Sequence, residues 1–384
     1  MRFLHTGDWH VGRTLRGRSR SDEFSAGLDE VVGIATSEGV DAVLVAGDIY
    51  DQRALSAEAD TIVFDTLIRL HEAHIPVVAI PGNHDSVARL AALAPLLERI
   101  GVTAVPRMKP PASGGIVEVP GRDGKESALI ACLPFVSPRR FSDATQLFGD
   151  IAAGYVSFDE GMGGLLSAFA GGFQTGRVNI VLGHLFVSGA KPGGGERQIT
   201  IGADYAVSPA KLPGTAHYVA LGHIHRPQAV RAAPAPTRYC GSLLQLDFGE
   251  REQSKSAVIV DAEPGRRART KEITIAAGRQ LLDVSGTLGE LPALASRVGD
   301  AYLRVTVLTD GPAPGIADRV REVLPNALDV RLEYEREEDG RPAISLRSLE
   351  PREQFTSYYR DRQGAEPSVE LVAAFDRIHD EVAS

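Results

Sequence analysis

From residue 1 to about 280, short apolar runs alternate with stretches whose apolar residues return every three or four places. The runs are Arg2 to Thr6, Ala42 to Ala46, Val77 to Ile80, Asn179 to Leu182 and Tyr218 to Leu221. Their length and β-rich content predict strands, and the alternation predicts an α/β unit with helices packed on sheets. Between the second and third runs, Glu58 to His74 carries Ile62, Leu67 and Leu70 at helical spacing, with Pro76 as its end. Ser86 to Ile100 repeats the pattern with Leu90, Leu93, Leu96 and Leu97. Pro106 to Gly176 is less regular, with one clear strand, Ala128 to Val136, and a glycine-rich helical segment ending near Phe173. Lys191 to Gly195 reads as a flexible loop. Strands at Ala257 to Asp261 and Lys271 to Ile275 complete this unit.

A linker of mixed character follows. Ala301 to Leu308 then alternates, with Leu303, Val305 and Val307 on one face, and Ala327 to Tyr334 alternates with Leu328, Val330 and Leu332. With the short amphipathic helix Ile316 to Leu324 between them, they predict a small strand–helix–strand unit. After a charged turn, Glu335 to Arg341, two helices are expected at Glu353 to Gln363 and Ser368 to Val382. The last carries Leu371, Phe375, Ile378 and Val382 on one stripe and Ser368 as its N-cap. The expected organisation is therefore three units: 1–280, 285–340 and 345–384.

Composition narrows the class. Hydrophobic residues make up 43% and charged residues 24%, as in soluble globular proteins. No run of eighteen apolar residues could span a bilayer. The chain opens directly on a strand-like segment without a secretory leader, which predicts a cytoplasmic protein. Two isolated cysteines, Cys132 and Cys240, indicate neither a disulfide framework nor a thiolate metal site. A net charge of −9 excludes nucleic-acid binding by global attraction, so any such binding is local. The candidate patch is Arg13, Arg16, Arg18 and Arg20, a polar run that a solvated loop would also explain.

Five of the apolar runs end alike, with a glycine followed at once by a potential metal ligand: Gly7-Asp8, Gly47-Asp48, Gly82-Asn83, Gly183-His184 and Gly222-His223. Glycine is 40 of 384 residues, so chance explains one such placement but not five. Strand ends in an open α/β sheet converge on a crevice where ligands bind, and glycine lets the backbone turn there and approach an ion. His10 and His225 each follow a ligand by two residues, and in an extended segment such pairs face the same side. Two aspartates, one asparagine and four histidines without sulfur suit Mn²⁺, Fe²⁺ or Zn²⁺. Seven ligands are too many for one ion and suit two if a carboxylate bridges, an arrangement that hydrolyses phosphoesters.

The set Gly7-Asp8-Trp9-His10, Gly47-Asp48, Gly82-Asn83-His84-Asp85, Gly183-His184 and Gly222-His223-Ile224-His225 resembles the full motif set of calcineurin-like metallophosphoesterases. Within that superfamily, Tyr218 to Gln228 (YVALGHIHRPQ) and Tyr239 to Glu250 (YCGSLLQLDFGE) are similar to the bacterial SbcD subgroup of the Mre nuclease family. The resemblance extends over essentially the whole chain and weakens after residue 280. It implies a β-sandwich flanked by helices, with a small α/β capping domain and C-terminal helices. It also implies that Asp8, His10, Asp48 and His225 hold one ion and that Asp48, Asn83, His184 and His223 hold the other, with Asp48 as the bridge. His84 would contact the scissile phosphate, and Asp85 would orient it through the other ring nitrogen. Gly7 stands where many relatives carry serine.

The implied activity is a Mn²⁺-dependent nuclease, a double-strand exonuclease and single-strand endonuclease that processes DNA ends and hairpins in repair and recombination. Its implied partners are DNA and an SbcC-type, SMC-like coiled-coil ATPase bound by the C-terminal helices, with homodimerisation through the helices at 58–74 and 86–100. The expected setting is the cytoplasm, at the nucleoid. The alternatives are a phosphoesterase for a small nucleotide or phosphoprotein, which has no need of a cap or terminal helices, and a scaffold, which would have lost ligands.

Overall fold

The computed structural model describes residues 1–54, 56–137, 157–196, 198–334, 350–363 and 366–383. Two six-stranded sheets face each other. One runs β14 (Arg269–Thr274), β13 (Ser256–Asp261), β1 (Arg2–Thr6), β2 (Ala42–Ala46), β3 (Val77–Ile80) and β4 (Val102–Ala104). The other runs β11 (Gln228–Ala229), β12 (Thr237–Tyr239), β10 (Tyr218–Gly222), β7 (Val178–His184), β6 (Ser127–Leu133) and β5 (Ile116–Pro120). Strands β1 to β4 are mutually parallel, as are β6, β7, β10 and β12, so each sheet gathers carboxyl ends along one edge. A short parallel pair, β8 (Phe186–Val187) with β9 (Ala206–Val207), lies outside both sheets.

The central strands are apolar because both of their faces are covered. Phe3, Leu44, Ala46, Val78 and Ile80 point between the sheets, where they meet Ile130, Ile180, Leu182, Tyr218 and Ala220. Their neighbours Leu4, Val43, Val45, Val77 and Ala79 point outward. That outer face is covered by α1 (Ser21–Ser37), α2 (Ala57–Glu72) and α3 (Val87–Glu98), through Phe24, Leu28, Val63, Leu67 and Leu97. The outer face of the second sheet packs on α4 (Phe158–Gly171) through Met162, Leu165, Leu166 and Phe169. Ser56 and Ser86 cap α2 and α3 by accepting from the amides of Ala59 and Arg89. Helix α2 ends before Pro76 acts. His74 takes φ 56°, and the Ile75 amide reaches back to the Leu70 carbonyl, closing the helix with a left-handed turn.

The stretch expected to be a linker after residue 275 is ordered. It forms β15 (Leu281–Thr287) and α5 (Leu291–Val298), which precede β16 (Tyr302–Leu308), α6 (Ile316–Val323) and β17 (Ala327–Glu333). The small unit is thus a three-stranded parallel sheet with two helices, one strand and one helix more than the alternation suggested. Tyr302 fastens it to the sandwich. Its ring lies in a cluster with Leu15, Phe248 and Leu281, and its hydroxyl donates to Glu23 at 2.8 Å. The guanidinium groups of Arg18, Arg20 and Arg279 stand 5.2 to 5.8 Å from its centroid.

A second compact unit begins at Tyr334. It contains α7 (Pro351–Gln363) and α8 (Val369–Ala383), whose Phe355 and Phe375 rings stack at 4.4 Å. The charged turn expected at 335–341 lies outside the described residues. Among the described residues, no helix is long and apolar enough to cross a membrane.

Candidate metal centre

The five glycine-terminated runs become the ends of β1, β2 and β3 in one sheet and of β7 and β10 in the other. The crevice therefore lies across the matched edges of two sheets, not at the switch point of a single open one. Backbone bonds hold the ends in register. The Asp8 amide donates to the Gly47 carbonyl at 2.9 Å and the His10 amide to the Asp48 carbonyl at 3.0 Å. The His223 amide, from the other sheet, donates to both Asp8 carboxylate oxygens at 3.0 Å. Glycine is required by space at Gly82 and Gly222, where a β-carbon would strike the Asp48 carboxylate and the Ala46 carbonyl.

Six non-glycine residues among those described have positive φ, and four of them are candidate ligands: Asp8 (47°), His10 (50°), Asp48 (47°) and His223 (100°). The same-side pairing of Asp8 with His10, and of His223 with His225, is therefore made by left-handed backbone and not by an extended segment. Such conformations are costly and concentrate at functional sites. The intervening residues turn the other way. Trp9 is buried in the helix-side core of the first sheet and Ile224 in that of the second, so two large apolar side chains anchor the ligand loops from behind.

All seven candidate ligands are buried, and the most exposed, Asn83, shows only 9% of its surface. His10 Nε2 lies 3.1 Å from His225 Nε2 and 3.6 Å from Asp48 Oδ2. On the other side of Asp48, His184 Nε2 is 3.5 Å from Oδ2, 3.2 Å from Asn83 Oδ1 and 3.3 Å from His223 Nδ1. Two imidazole nitrogens about 2.1 Å from a shared ion, at roughly a right angle, stand about 3.0 Å apart. The two groups of converging nitrogens have that spacing, and the donor set of imidazole, carboxylate and amide oxygen fits divalent cations. Asp48 Oδ2 lies between the two groups, 3.6 Å from His10 Nε2 and 3.5 Å from His184 Nε2, and Asp8 Oδ1 stands 3.8 Å from His184 Nδ1. His10, Asp48 and His84 together, and Asp8, Asp48 and His184 together, could each hold an ion.

Three of the four candidate imidazoles are aimed by a hydrogen bond from the other nitrogen, and the fourth, His10, only faces a carboxylate. His184 Nδ1 donates to the Ala46 carbonyl at 2.7 Å, and His223 Nε2 to that of Thr200 at 3.1 Å. His225 Nδ1 bonds Glu250 Oε1 at 3.0 Å, and His10 Nδ1 faces Asp51 Oδ1 at 3.3 Å. The resemblance pairs Asp85 with His84. Asp85 instead accepts from the amides of Gly82, Ile49 and Tyr50, tying the loops after β2 and β3 together. His84 Nδ1 donates to the Asp51 carbonyl at 2.6 Å. The loop expected to be flexible at 191–195 is clamped as well. Glu196 accepts from the amides of Gly193, Gly194 and His225.

The buried charges of the site oppose one another. Burial pushes the Asp8 carboxyl up to about 7 against the pull of His184 and His225. Burial also lowers His10 to about 4 and His223 to about 3. For Asp48, burial is outweighed by His184 and His10, and its carboxyl falls well below the usual carboxylate range. For His184, burial is outweighed by Asp48 and Asp8, and its imidazole rises to about 9.

The four arginines do not form one patch: Arg18 and Arg20 meet at the Tyr302 ring, and Arg13 and Arg16 lie apart. Arg20 is 3% exposed, pairs with Glu23 at 2.8 Å and donates to the Gln245 carbonyl. Arg16 pairs with Asp329 of the three-stranded unit at 3.4 Å. Arg13 alone borders the crevice, 3.5 Å from Asp51 and 3.4 Å from the Gly195 carbonyl. Sequence patterns did not reveal Asp51, Glu196, Glu250 or Lys255. Asp51 follows Asp48 by three residues, and Glu250 closes the motif that begins at Tyr239, yet neither carries a spacing that marks a support role.

A family profile described as Calcineurin-like phosphoesterase matches residues 1–227, and one described as Type 5 capsule protein repressor C-terminal domain matches residues 277–363. The helix-flanked sandwich is thus that of a calcineurin-like phosphoesterase. The SbcD component of the SbcCD nuclease of Bacillus subtilis is 31% identical over 98% of this chain and 97% of its own length. The SbcD proteins of Escherichia coli K12 (29%, covering 97% and 91%) and Rhodobacter capsulatus (30%, covering 90% and 90%) are similar in the same way. Within the phosphoesterase class, the chain belongs to the SbcD family of SbcCD nuclease subunits.

Proposed function

We propose that this chain is the nuclease subunit of an SbcCD-type complex and hydrolyses DNA phosphodiesters at the crevice formed by Asp8, His10, Asp48, Asn83, His184, His223 and His225. The observation that carries this reading is the meeting of seven ligand side chains from five strand ends at one buried place, in a chain similar end to end to SbcD proteins. A small-molecule phosphoesterase would leave unexplained the match over residues 277–363. A scaffold would leave unexplained the complete ligand set.

In this reading Asp8, His10, Asp48 and His225 hold one ion and Asp48, Asn83, His184 and His223 hold the other, with Mn²⁺ as the physiological metal. Bound there, two divalent ions supply positive charge to the scissile phosphate and lower the pKa of the attacking water. The chain's own residues do the rest. His84, whose Nδ1–H donates to the Asp51 carbonyl, would present Nε2 toward the phosphate; as the imidazolium, protonated on both nitrogens, it would give the Nε2 proton to the leaving oxygen and take another from solvent. Asp85 keeps the β2 and β3 loops at fixed separation, so that Asp48 and Asn83 stay aligned. Trp9 and Ile224 exclude water from behind.

The organisation proposed is a nuclease domain over 1–280, a capping domain over 285–340 and ATPase-binding helices over 345–384. Helix α8 exposes Val369 (80%) and Ile378 (62%), a surface suited to a coiled-coil root. Ile68 and Leu96 stand exposed on α2 and α3 and suit a homodimer within a heterotetramer. Among the arginines, Arg13, Arg16 and Arg18 remain candidates for DNA contact, whereas Arg20 is consumed by Glu23. The test is incubation of the purified chain with linear duplex DNA and with a small phosphodiester, each with Mn²⁺ and with Mg²⁺. Cleavage of DNA with Mn²⁺ is expected. Cleavage of the small phosphodiester alone would refute the reading.

A further inference from the structure

The four candidate histidine ligands divide by what holds their second nitrogen. His184 and His223 lean on neutral backbone carbonyls, those of Ala46 and Thr200. His225 leans on a carboxylate, that of Glu250, and His10 Nδ1 faces the Asp51 carboxylate at 3.3 Å without a formed hydrogen bond. The two positions on either side of Asp48 are therefore supported by different chemistry. A carboxylate behind a ligating imidazole fixes its tautomer and strengthens it as a donor, whereas a carbonyl does the first and much less of the second.

Glu250 is the stronger case of the two. It is 0% exposed, and a fully buried carboxylate is costly unless it is paired. Its Oε2 accepts from Lys255 Nζ at 2.7 Å, from the Leu246 amide at 3.0 Å and from Ser242 Oγ at 3.3 Å, while Oε1 faces His225. Lys255 Nζ also donates to the His225 carbonyl at 2.9 Å, and Glu196 accepts from the His225 amide at 2.8 Å. Ring, amide and carbonyl of one residue are thus each held by a buried charged side chain. Lys255 neutralises Glu250 without competing for the ring, because it occupies the other carboxylate oxygen.

We propose that Glu250, with Lys255, is a positioning residue that presents His225 Nε2 to the ion shared with Asp8, His10 and Asp48, making that ion the more tightly held of the two. The inference rests on the two-ion reading above. It is tested by calorimetric and electron-paramagnetic titration of the full chain with Mn²⁺, in the wild type, in E250Q and in E250Q/K255M. The double variant removes the lysine charge that E250Q leaves unpaired, so it separates positioning from folding damage. Thermal melting of each metal-free protein monitors that damage.

The wild type is expected to fill in two steps. In both variants the tight step should weaken by about 10- to 100-fold. The weak step should stay where it was, even where the two variants differ in melting temperature. An unchanged tight step in the folded double variant overturns the positioning role, and so does parallel weakening of both steps. Two equal steps in the wild type overturn the inequality while leaving the two-ion reading intact. Binding of fewer than two ions by the wild type overturns both.

Discussion

At the carboxyl ends of β1, β2, β7 and β10, two aspartates and four histidines are buried together, and four of these candidate ligands have left-handed backbone. The interior of the β15–β17 unit holds Leu303, Val305, Val307, Ile316 and Val320, on strands whose pairing shifts register once, at Leu303 and Arg304. Its charges sit at the rim, where Arg304 meets Asp283 at 2.8 Å and Arg251 meets Asp283 at 3.1 Å. The three-stranded unit is stabilised by what it buries. The candidate metal end buries charge against charge, which the rest of the sandwich holds in place and which bound cations would offset. A divalent ion should therefore raise the stability of the protein through one region only, by the linkage between binding and folding.

The sharpest way to break this contrast is Asp48→Ala. Removing the carboxylate that reaches both groups should abolish loading of both ions and, with it, the rise in melting temperature that Mn²⁺ gives the wild type. Elemental analysis beside melting curves decides the matter, and retention of two equivalents would refute the bridge. His84→Ala should keep both ions and DNA affinity but lose about 10²- to 10⁴-fold in turnover, as for a placed proton donor or charge stabiliser. Metal content, DNA binding and rate on one preparation separate that outcome from a loss of metal.

Tyr302→Ala probes the other region. Emptying its buried place and removing its bond to Glu23 should cost about 2 to 4 kcal/mol of stability while leaving metal loading unchanged. Denaturant melts with and without Mn²⁺ should shift together, and a change in metal affinity would show that the regions are coupled. The smallest effect is protonic. His184, raised to about 9, carries a proton that must leave before its Nε2 can serve an ion. Binding near pH 8 should release protons from His184 and from His225, whose imidazole is also raised, against burial, by Glu250, and affinity should fall as pH drops further below that value. Titration in buffers of different ionisation enthalpy measures the release, and none at pH 8 would contradict the assignment.

Five of the seven candidate ligands were legible because each sits in a two-residue phrase, glycine then ligand, at the end of an apolar run, and His10 and His225 because each follows the ligand of such a phrase by two residues. Their supports were not. Asp51, Glu196, Glu250 and Lys255 act through the second nitrogen or the backbone of a ligand, across sequence gaps such as 25 residues between His225 and Glu250. Adjacency in the chain pairs Asp85 with His84, yet three amides at the loop necks satisfy Asp85 first. Helix α1 lacked a start signal, since Arg20 occupies its N-cap without a capping bond. Strand β15 mixes Asp283 and Ser285 with leucines because one face meets water, and α5 spans only eight residues. The sandwich strands, covered on both sides, read clearly.

Anomalous diffraction from crystals soaked in Mn²⁺ tests the central claim most directly. The account predicts two peaks within one crevice, with Asp48 touching both, His10 and His225 on one, and Asn83, His184 and His223 on the other. A single peak, or a peak ligated by His84 in place of His225, would contradict it.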